Sequence, residues 1–246
     1  MFKEINNYVL LKLLGRGAFG EVHLAESVNK DHYALKIIPV NKENKSDAQK
    51  EARMYISFEH PNIVNAREFF LFEKEQYLII VLEYCPDGNL SKLIGKIDQD
   101  RSKEIIKQVV EGLTYLHYDK NTLHRDIKPD NILMLDGVPK IADLGISKRM
   151  RTESLLSRSC TPFYVAPEVF NEENYDFNAD IWSLGIVFLE LLSGKRITEM
   201  VKGIKPPGER ADFPSEDLLN QIKDETLREL VRRMLEKDPK KRLKSK

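Results

Sequence analysis

The run His124-Arg125-Asp126-Ile127-Lys128-Pro129-Asp130-Asn131 is followed, a short way on, by Asp143-Leu144-Gly145. Together they bring carboxylates, a lysine and a carboxamide into one stretch of chain. Phosphoryl transfer needs such groups: a carboxylate to accept a hydroxyl proton, oxygen ligands for magnesium, and cations for phosphate oxygens. A three-residue match alone would carry little weight. Here the run stands in order with a glycine-rich segment and a strand lysine before it and with Ala166-Pro167-Glu168 after it.

The glycine-rich segment Gly15-Arg16-Gly17-Ala18-Phe19-Gly20 fits G-x-G-x-x-G, a spacing that dinucleotide-binding folds also use. In those folds a helix follows. Here Glu21-Val22-His23-Leu24-Ala25 follows, which reads as a strand, so the spacing predicts a hairpin folded over phosphates. No Gly-Lys-Ser/Thr completes a Walker A pattern. Taken alone, the segment fits a glycine hairpin without a ligand about equally well. Lys36 lies in the apolar run Ala34-Leu35-Lys36-Ile37-Ile38, where a lysine needs a partner or solvent; Glu51 can supply the carboxylate. In a chain with 32% charged residues, two solvated surface charges are the ordinary alternative. The core-like strand and the adjacent glycines weigh against it.

These groups must be positioned by a folded scaffold, and 246 residues suffice for one large domain or two lobes sharing a cleft. Apolar residues make up 41% of the chain, an ordinary globular profile. Lys plus Arg and Asp plus Glu number 39 each, so there is no basic excess to suggest nucleic acid or an anionic membrane as a partner. No apolar run has membrane-spanning length, and the start lacks a signal-peptide core and a Gly at position 2. Cys85 and Cys160 stand far apart, and the five histidines show no metal spacing. A cytoplasmic or nuclear location is expected.

Residues 8–14, 21–25 and 33–38 read as strands, 41–47 as a loop, 48–58 as a helix, and 69–72 and 77–83 as further strands. Pro86-Asp87-Gly88 is turn chemistry and marks the expected boundary, giving a small lobe over 1–84 and a larger one over 85–246. Beyond it, residues 101–118 and 224–236 have helical apolar spacing. Residues 179–192 are apolar on nearly all sides, as in a buried helix stopped by Gly194. The fold class expected is α+β, a small antiparallel sheet lobe with one helix and a mainly helical larger lobe.

Together these motifs resemble the eukaryotic protein kinases, from about Tyr8 to Arg242. The resemblance implies a bilobal kinase fold, ATP and Mg2+ as cofactors, and protein substrates. It implies that Gly15, Gly17 and Gly20 cover the ATP phosphates and that Lys36, held by Glu51, contacts them. Leu14, Val22, Ala34 and Leu133 would enclose the adenine, Leu82 would stand behind it, and Glu83-Tyr84-Cys85 would form the hinge. Asp126 would be the catalytic base, Lys128 would neutralise the transferring phosphate, and Asn131 and Asp143 would hold magnesium. His124 would pack, Asp180 would brace the catalytic loop, and Glu168 would pair with Arg242. Lys128 and Thr161-Pro162 resemble the serine/threonine branch; Asp143-Leu144-Gly145-Ile146-Ser147-Lys148 and Glu83-Tyr84-Cys85 look like the NIMA-related kinases.

The chain departs from the family pattern at Leu144 (usually Phe), Cys160 (often Gly), Asn89 (often Asp) and through residues 195–214, and a final helix is expected to be absent or shortened. Arg125 is of the type that pairs with a phosphate on the activation segment. Ser157 and Ser159 are the foremost candidates for it, ahead of Thr152 and Ser154, and Thr161 belongs to the substrate loop; an upstream kinase is the implied partner. A pseudokinase would have lost Lys36, Asp126, Asn131 or Asp143, and none is lost. A small-molecule kinase would have no use for the long segment before Ala166-Pro167-Glu168.

Overall fold

The computed structural model describes residues 2–17, 20–144, 162–170, 176–201 and 213–246. Residues Met1–Pro86 belong to one compact unit, and the second begins at Asp87, so the division falls in the Pro86-Asp87-Gly88 turn.

The first unit is built on six antiparallel strands: β1 (Glu4–Ile5), β2 (Tyr8–Gly17), β3 (Gly20–Ser27), β4 (His32–Pro39), β5 (Ala66–Phe72) and β6 (Tyr77–Glu83). Their spatial order is β1-β2-β3-β4-β6-β5. Strand β6 lies between β4 and β5, and Leu78, Ile79, Ile80 and Val81 are completely buried, which is why this strand reads as a continuous apolar run. One sheet face packs Ile5, Tyr8, Ala25, Leu35, Ile37, Ile79 and Val81 into a core closed by Phe2, Phe70, Phe72 and Tyr77. Phe2 meets the rings of Phe72 and Tyr77 edge-on, at 5.1 and 5.4 Å between centroids.

Helix α1 (Lys45–Ile56) packs against β5 and β6. It begins inside the stretch expected to be a loop, because the polar residues of its first turn are solvent-facing and carry no apolar period. Asn41 Oδ1 accepts the Glu43 and Asn44 N–H groups at 3.0 Å, an Asx turn that leads the chain into the helix. Strand β5 also starts three residues before the expected run, and β1 was not anticipated.

The glycine segment is a strand hairpin: Gly15 pairs with Val22 and Gly17 with Gly20 across β2 and β3. Gly20 has φ +145°, and a Cβ there would lie 2.0 Å from the Ile37 carbonyl oxygen. That oxygen belongs to sheet backbone and cannot move aside. Gly20→Ala is expected to lower stability by about 1–3 kcal/mol. Gly15→Ala, with nothing within 4 Å of its added Cβ, should leave stability nearly unchanged. Equal thermal midpoints for the two variants would refute this.

The second unit is mainly helical. Helix α2 (Gln99–Thr114) is capped by Asp98, whose Oδ1 accepts the Arg101 N–H at 2.8 Å, and continues into a π-helical turn, Tyr115–Asp119. A hairpin of β7 (Ile132–Leu135) and β8 (Val138–Ile141) follows, turned at Asp136-Gly137 with φ +50° and +77°. Next come α3 (Pro167–Phe170), α4 (Asn178–Ser193), α5 (Ile197–Met200), α6 (Glu216–Leu219) and α7 (Glu225–Met234). Helix α4 is the centre of this unit and packs against α2 and α7. Its residues from Asn178 to Leu191 are buried without a break, as its all-round apolar composition requires. Gly194 ends it in the left-handed region (φ +68°), its N–H returning to the Glu190 carbonyl at 2.9 Å. No helix among the described residues is long and apolar enough to cross a membrane.

Candidate active site

In the first unit the strand register sets the candidate nucleotide-binding side chains in order. Val22, Lys36 and Ile80 lie opposite one another across β3, β4 and β6, and Leu24, Ala34 and Leu82 form the next row. Directly opposed residues share a face of the sheet, so Val22, Ala34, Lys36 and Leu82 stand together, with Gly15 opposite Val22. This is the face opposite the one that carries Leu35 and Ile37 in the aromatic-lined core. Lys36 is 8% exposed and Glu51, on the inner side of α1, is 7% exposed. A lysine and a glutamate buried in one unit each need charge compensation, which rules out the reading of two solvated surface charges. Leu14 is exposed on β2, Cys85 is buried, and the Glu83 N–H is held by the Asn65 carbonyl at 2.9 Å.

In the second unit the loop 124–131 is fixed from below by α4. Both oxygens of the buried Asp180 accept loop backbone: Oδ2 takes the His124 N–H and Oδ1 the Arg125 N–H, each at 2.8 Å. These bonds hold Arg125 at φ +69°, a left-handed conformation that an arginine adopts only under such constraint. Burial by itself would raise the Asp180 carboxyl. The bonds from His117 and from the His124 backbone N–H outweigh it, so the group stays below the ordinary carboxylate range.

His124 is fully buried, with Nε2 at 2.9 Å from the Ala142 carbonyl oxygen and Nδ1 accepting the Asp126 N–H at 3.2 Å. A carbonyl can only accept, so Nε2 carries the proton and Nδ1 has only its lone pair. Both nitrogens are thus committed to backbone, which leaves His124 a packing and orienting group.

Asp126 Oδ2 accepts from Lys128 Nζ at 3.0 Å and from Asn131 Nδ2 at 2.8 Å, and Asn131 Nδ2 also reaches the Asp126 carbonyl at 2.9 Å. A base candidate, a cation and a carboxamide therefore meet at one carboxylate oxygen. With its nitrogen turned to Asp126, the Asn131 carboxamide has its oxygen as the remaining donor atom. That oxygen and the Asp143 carboxylate are hard ligands of the kind magnesium takes, with phosphates completing its shell. The Asn131 carbonyl accepts the Ala142 N–H at 2.9 Å, tying the loop to the residue before Asp143. Leu144, in place of the family's Phe, is buried.

Glu168 and Arg242 form a buried two-pronged pair, Oε1–Nη1 at 2.6 Å and Oε2–Nη2 at 3.0 Å. Thr152, Ser154, Ser157, Ser159, Cys160 and Thr161 lie outside the described residues.

Sequence reasoning missed a second network. The fully buried Glu190 accepts the Tyr164 hydroxyl at 2.8 Å and the Ile197 N–H at 2.7 Å. Arg196 lies 3.4 Å from the same carboxylate and 3.1 Å from Asp130 of the catalytic loop. Burial raises both Glu190 and Tyr164 above their usual ranges. The available signal was a lone glutamate inside an otherwise apolar helix, which implies a buried and partnered charge.

A small antiparallel sheet unit carrying helix α1, and a mainly helical unit bearing this loop, are each of the kind found in the protein kinases. The protein kinase domain family matches residues 8–246, and the chain belongs to it. It is 36% identical over 265 residues to the serine/threonine-protein kinase cds1 of Schizosaccharomyces pombe, covering 98% of this chain and 56% of that protein. It is 33% identical over 207 residues to the serine/threonine-protein kinase Nek1 of Mus musculus, covering 79% of this chain and 17% of Nek1, which agrees with the NIMA-like features. A crystal structure of Rad53 1-466 in complex with AMP-PNP superposes with a TM-score of 0.78 at 25% identity, covering 97% of this chain and 63% of that one. The chain thus spans about half the length of cds1 (56%) and a smaller part of Nek1 (17%).

Proposed function

We propose that this chain is an active serine/threonine protein kinase domain that transfers the γ-phosphate of ATP to hydroxyls of protein substrates. The observation that carries this reading is the convergence of Lys128 and Asn131 on the Asp126 carboxylate, above a loop held by buried Asp180. In this reading Asp126 accepts the hydroxyl proton as the hydroxyl oxygen bonds to phosphorus and the bond to the ADP oxygen breaks. Lys128 offsets charge on the transferring group. Asn131 and Asp143 hold Mg2+, which when bound supplies positive charge at the phosphate oxygens. Lys36, braced by Glu51, and the glycine hairpin hold the nucleotide. Lys128 and the names of the relatives support serine and threonine as acceptors. The balanced charge and the sparse cysteines support a cytoplasmic or nuclear setting.

The test is transfer from labelled ATP with magnesium to a generic basic protein, followed by phosphoamino acid analysis. Label on serine or threonine is expected, with or without prior treatment by an activating kinase. No transfer in either case would refute the reading. Asp143→Ala is expected to weaken ATP binding in magnesium by about tenfold or more, in line with loss of a charged metal ligand. Unchanged ATP affinity in that variant would remove Asp143 from the metal site. We further propose that a phosphate at Ser157 or Ser159 pairs with Arg125; active enzyme with no phosphate between Lys148 and Cys160 by mass spectrometry would refute this.

A further inference from the structure

The anchor beneath the catalytic loop does not end at Asp180. The π-helical turn that follows α2 widens the helix and places His117, 1% exposed, against α4. Its ring stacks on Phe177 at 4.6 Å and 11°, so its plane is set by packing on one side. Nε2 lies 2.9 Å from Asp180 Oδ2, the same oxygen that accepts the His124 N–H. Nδ1 lies 3.1 Å from the hydroxyl of Ser245, which is itself 9% exposed. Ser245 is held in turn, its carbonyl accepting the Thr114 hydroxyl at 2.5 Å. Four buried groups from four parts of the chain thus form one line: Ser245 hydroxyl, His117 ring, Asp180 carboxylate, and the backbone N–H groups of His124 and Arg125.

We propose that Ser245 is a positioning residue for phosphoryl transfer, acting on Asp126 through His117 and Asp180. The proposal rests on the kinase reading of the loop. An ionised carboxylate only accepts hydrogen bonds, so His117 must present N–H from Nε2. The other ring nitrogen, Nδ1, is bonded to the Ser245 hydroxyl, a group that can serve as donor or acceptor. This bond restrains the ring against rotation, and the ring restrains the carboxylate. The carboxylate holds Arg125 in its left-handed conformation, one residue before Asp126. Removing the hydroxyl leaves a buried ring nitrogen without its partner and frees the ring to turn. The disturbance then reaches the Asp126 carboxylate. The glycine hairpin and Lys36 stand in the other unit and do not take part.

The experiment compares the whole chain as wild type, Ser245→Ala and Ser245→Thr. Readouts are kcat, KM for ATP in magnesium, and the backbone amide resonances of His124 and Arg125. Ser245→Ala is expected to lower kcat about three- to tenfold, the loss of one buried hydrogen bond carried into the barrier, with KM for ATP unchanged. Ser245→Thr, which keeps a hydroxyl, should restore kcat. The two amide resonances should move in the alanine variant and return in the threonine variant. Wild-type kcat in Ser245→Ala, or a reduced kcat with both amides unmoved, overturns the proposal and leaves the kinase reading standing. Absence of transfer by the wild type overturns the kinase reading itself, and with it the assigned role of Ser245. If Ser245→Ala has no cooperative thermal transition, Ser245→Cys keeps the volume with only a weak donor and carries the same expectation. Wild-type kcat in Ser245→Cys then overturns the proposal.

Discussion

Asp126→Asn is expected to lower kcat by about 10²–10⁴ while leaving the KM for ATP close to the wild-type value. Asparagine matches aspartate in shape, so packing is preserved, but its amide cannot take a proton from the attacking hydroxyl. It also loses the charge that draws Lys128 Nζ and Asn131 Nδ2 to one oxygen, at 3.0 and 2.8 Å. If the amide nitrogen took the place of Oδ2, it would face two donors. If the amide oxygen took it, the nitrogen would lie where the accepting oxygen is needed. In either rotamer the base is absent and its orienting contacts are weaker. The residues read as nucleotide ligands on β2, β3 and β4 are untouched, which is why the effect should fall on turnover. Steady-state kinetics at saturating ATP check this, and unchanged turnover would exclude Asp126 as the base.

Arg242→Leu should have the largest effect on stability. Beyond the two-pronged contact with Glu168, the Arg242 guanidinium donates to the Asn178 carbonyl at 2.9 Å and the Glu236 carbonyl at 2.7 Å. It also lies 5.2 Å from the centre of the Trp182 ring. Arg242 is 2% exposed and Glu168 3%, so neither can turn to water when the other is removed. An uncompensated buried carboxylate costs about 3–5 kcal/mol. Domains are typically stable by about 5–15 kcal/mol, so the single variant should lose a large share of its stability. Adding Glu168→Leu removes the orphaned charge and should recover part of the loss. Recovery stays incomplete because the carbonyls of Asn178 and Glu236 still lack their donor. Urea unfolding of the two variants decides the matter. A double variant no more stable than the single one would mean that the charge is not the source of the loss.

What could be read from the sequence follows from the range of the forces involved. Helix α4 was legible because burial on every side leaves an apolar sequence with no polar stripe. Lys36, Asp126, Asn131 and Asp143 stand out as candidates because their motifs are local and ordered. The first turn of α1 was not legible, since its exposed polar residues carry no period. The β7–β8 hairpin is marked in the sequence only by Asp136-Gly137, a turn pair between two strands of four residues each. The π-helical turn leaves no trace in residue spacing. Contacts such as Ser245 with His117 or Tyr164 with Glu190 join distant parts of the chain through single polar atoms. No periodicity encodes them, and only the folded geometry brings them together.

Helix α4 also determines how the second unit exchanges its amide protons. A helix buried from Asn178 to Leu191 can give up those protons only when the surrounding unit opens, so its slowest amides report the global unfolding free energy. Asp180 sits in the first turn of that helix and holds the catalytic loop by two backbone bonds. The His124 and Arg125 amides are thereby tied to the most protected element of the unit, although they belong to a loop. Deuterium uptake at these two sites should track the α4 core rather than the neighbouring surface turns, which makes the loop a kinetic extension of the hydrophobic centre.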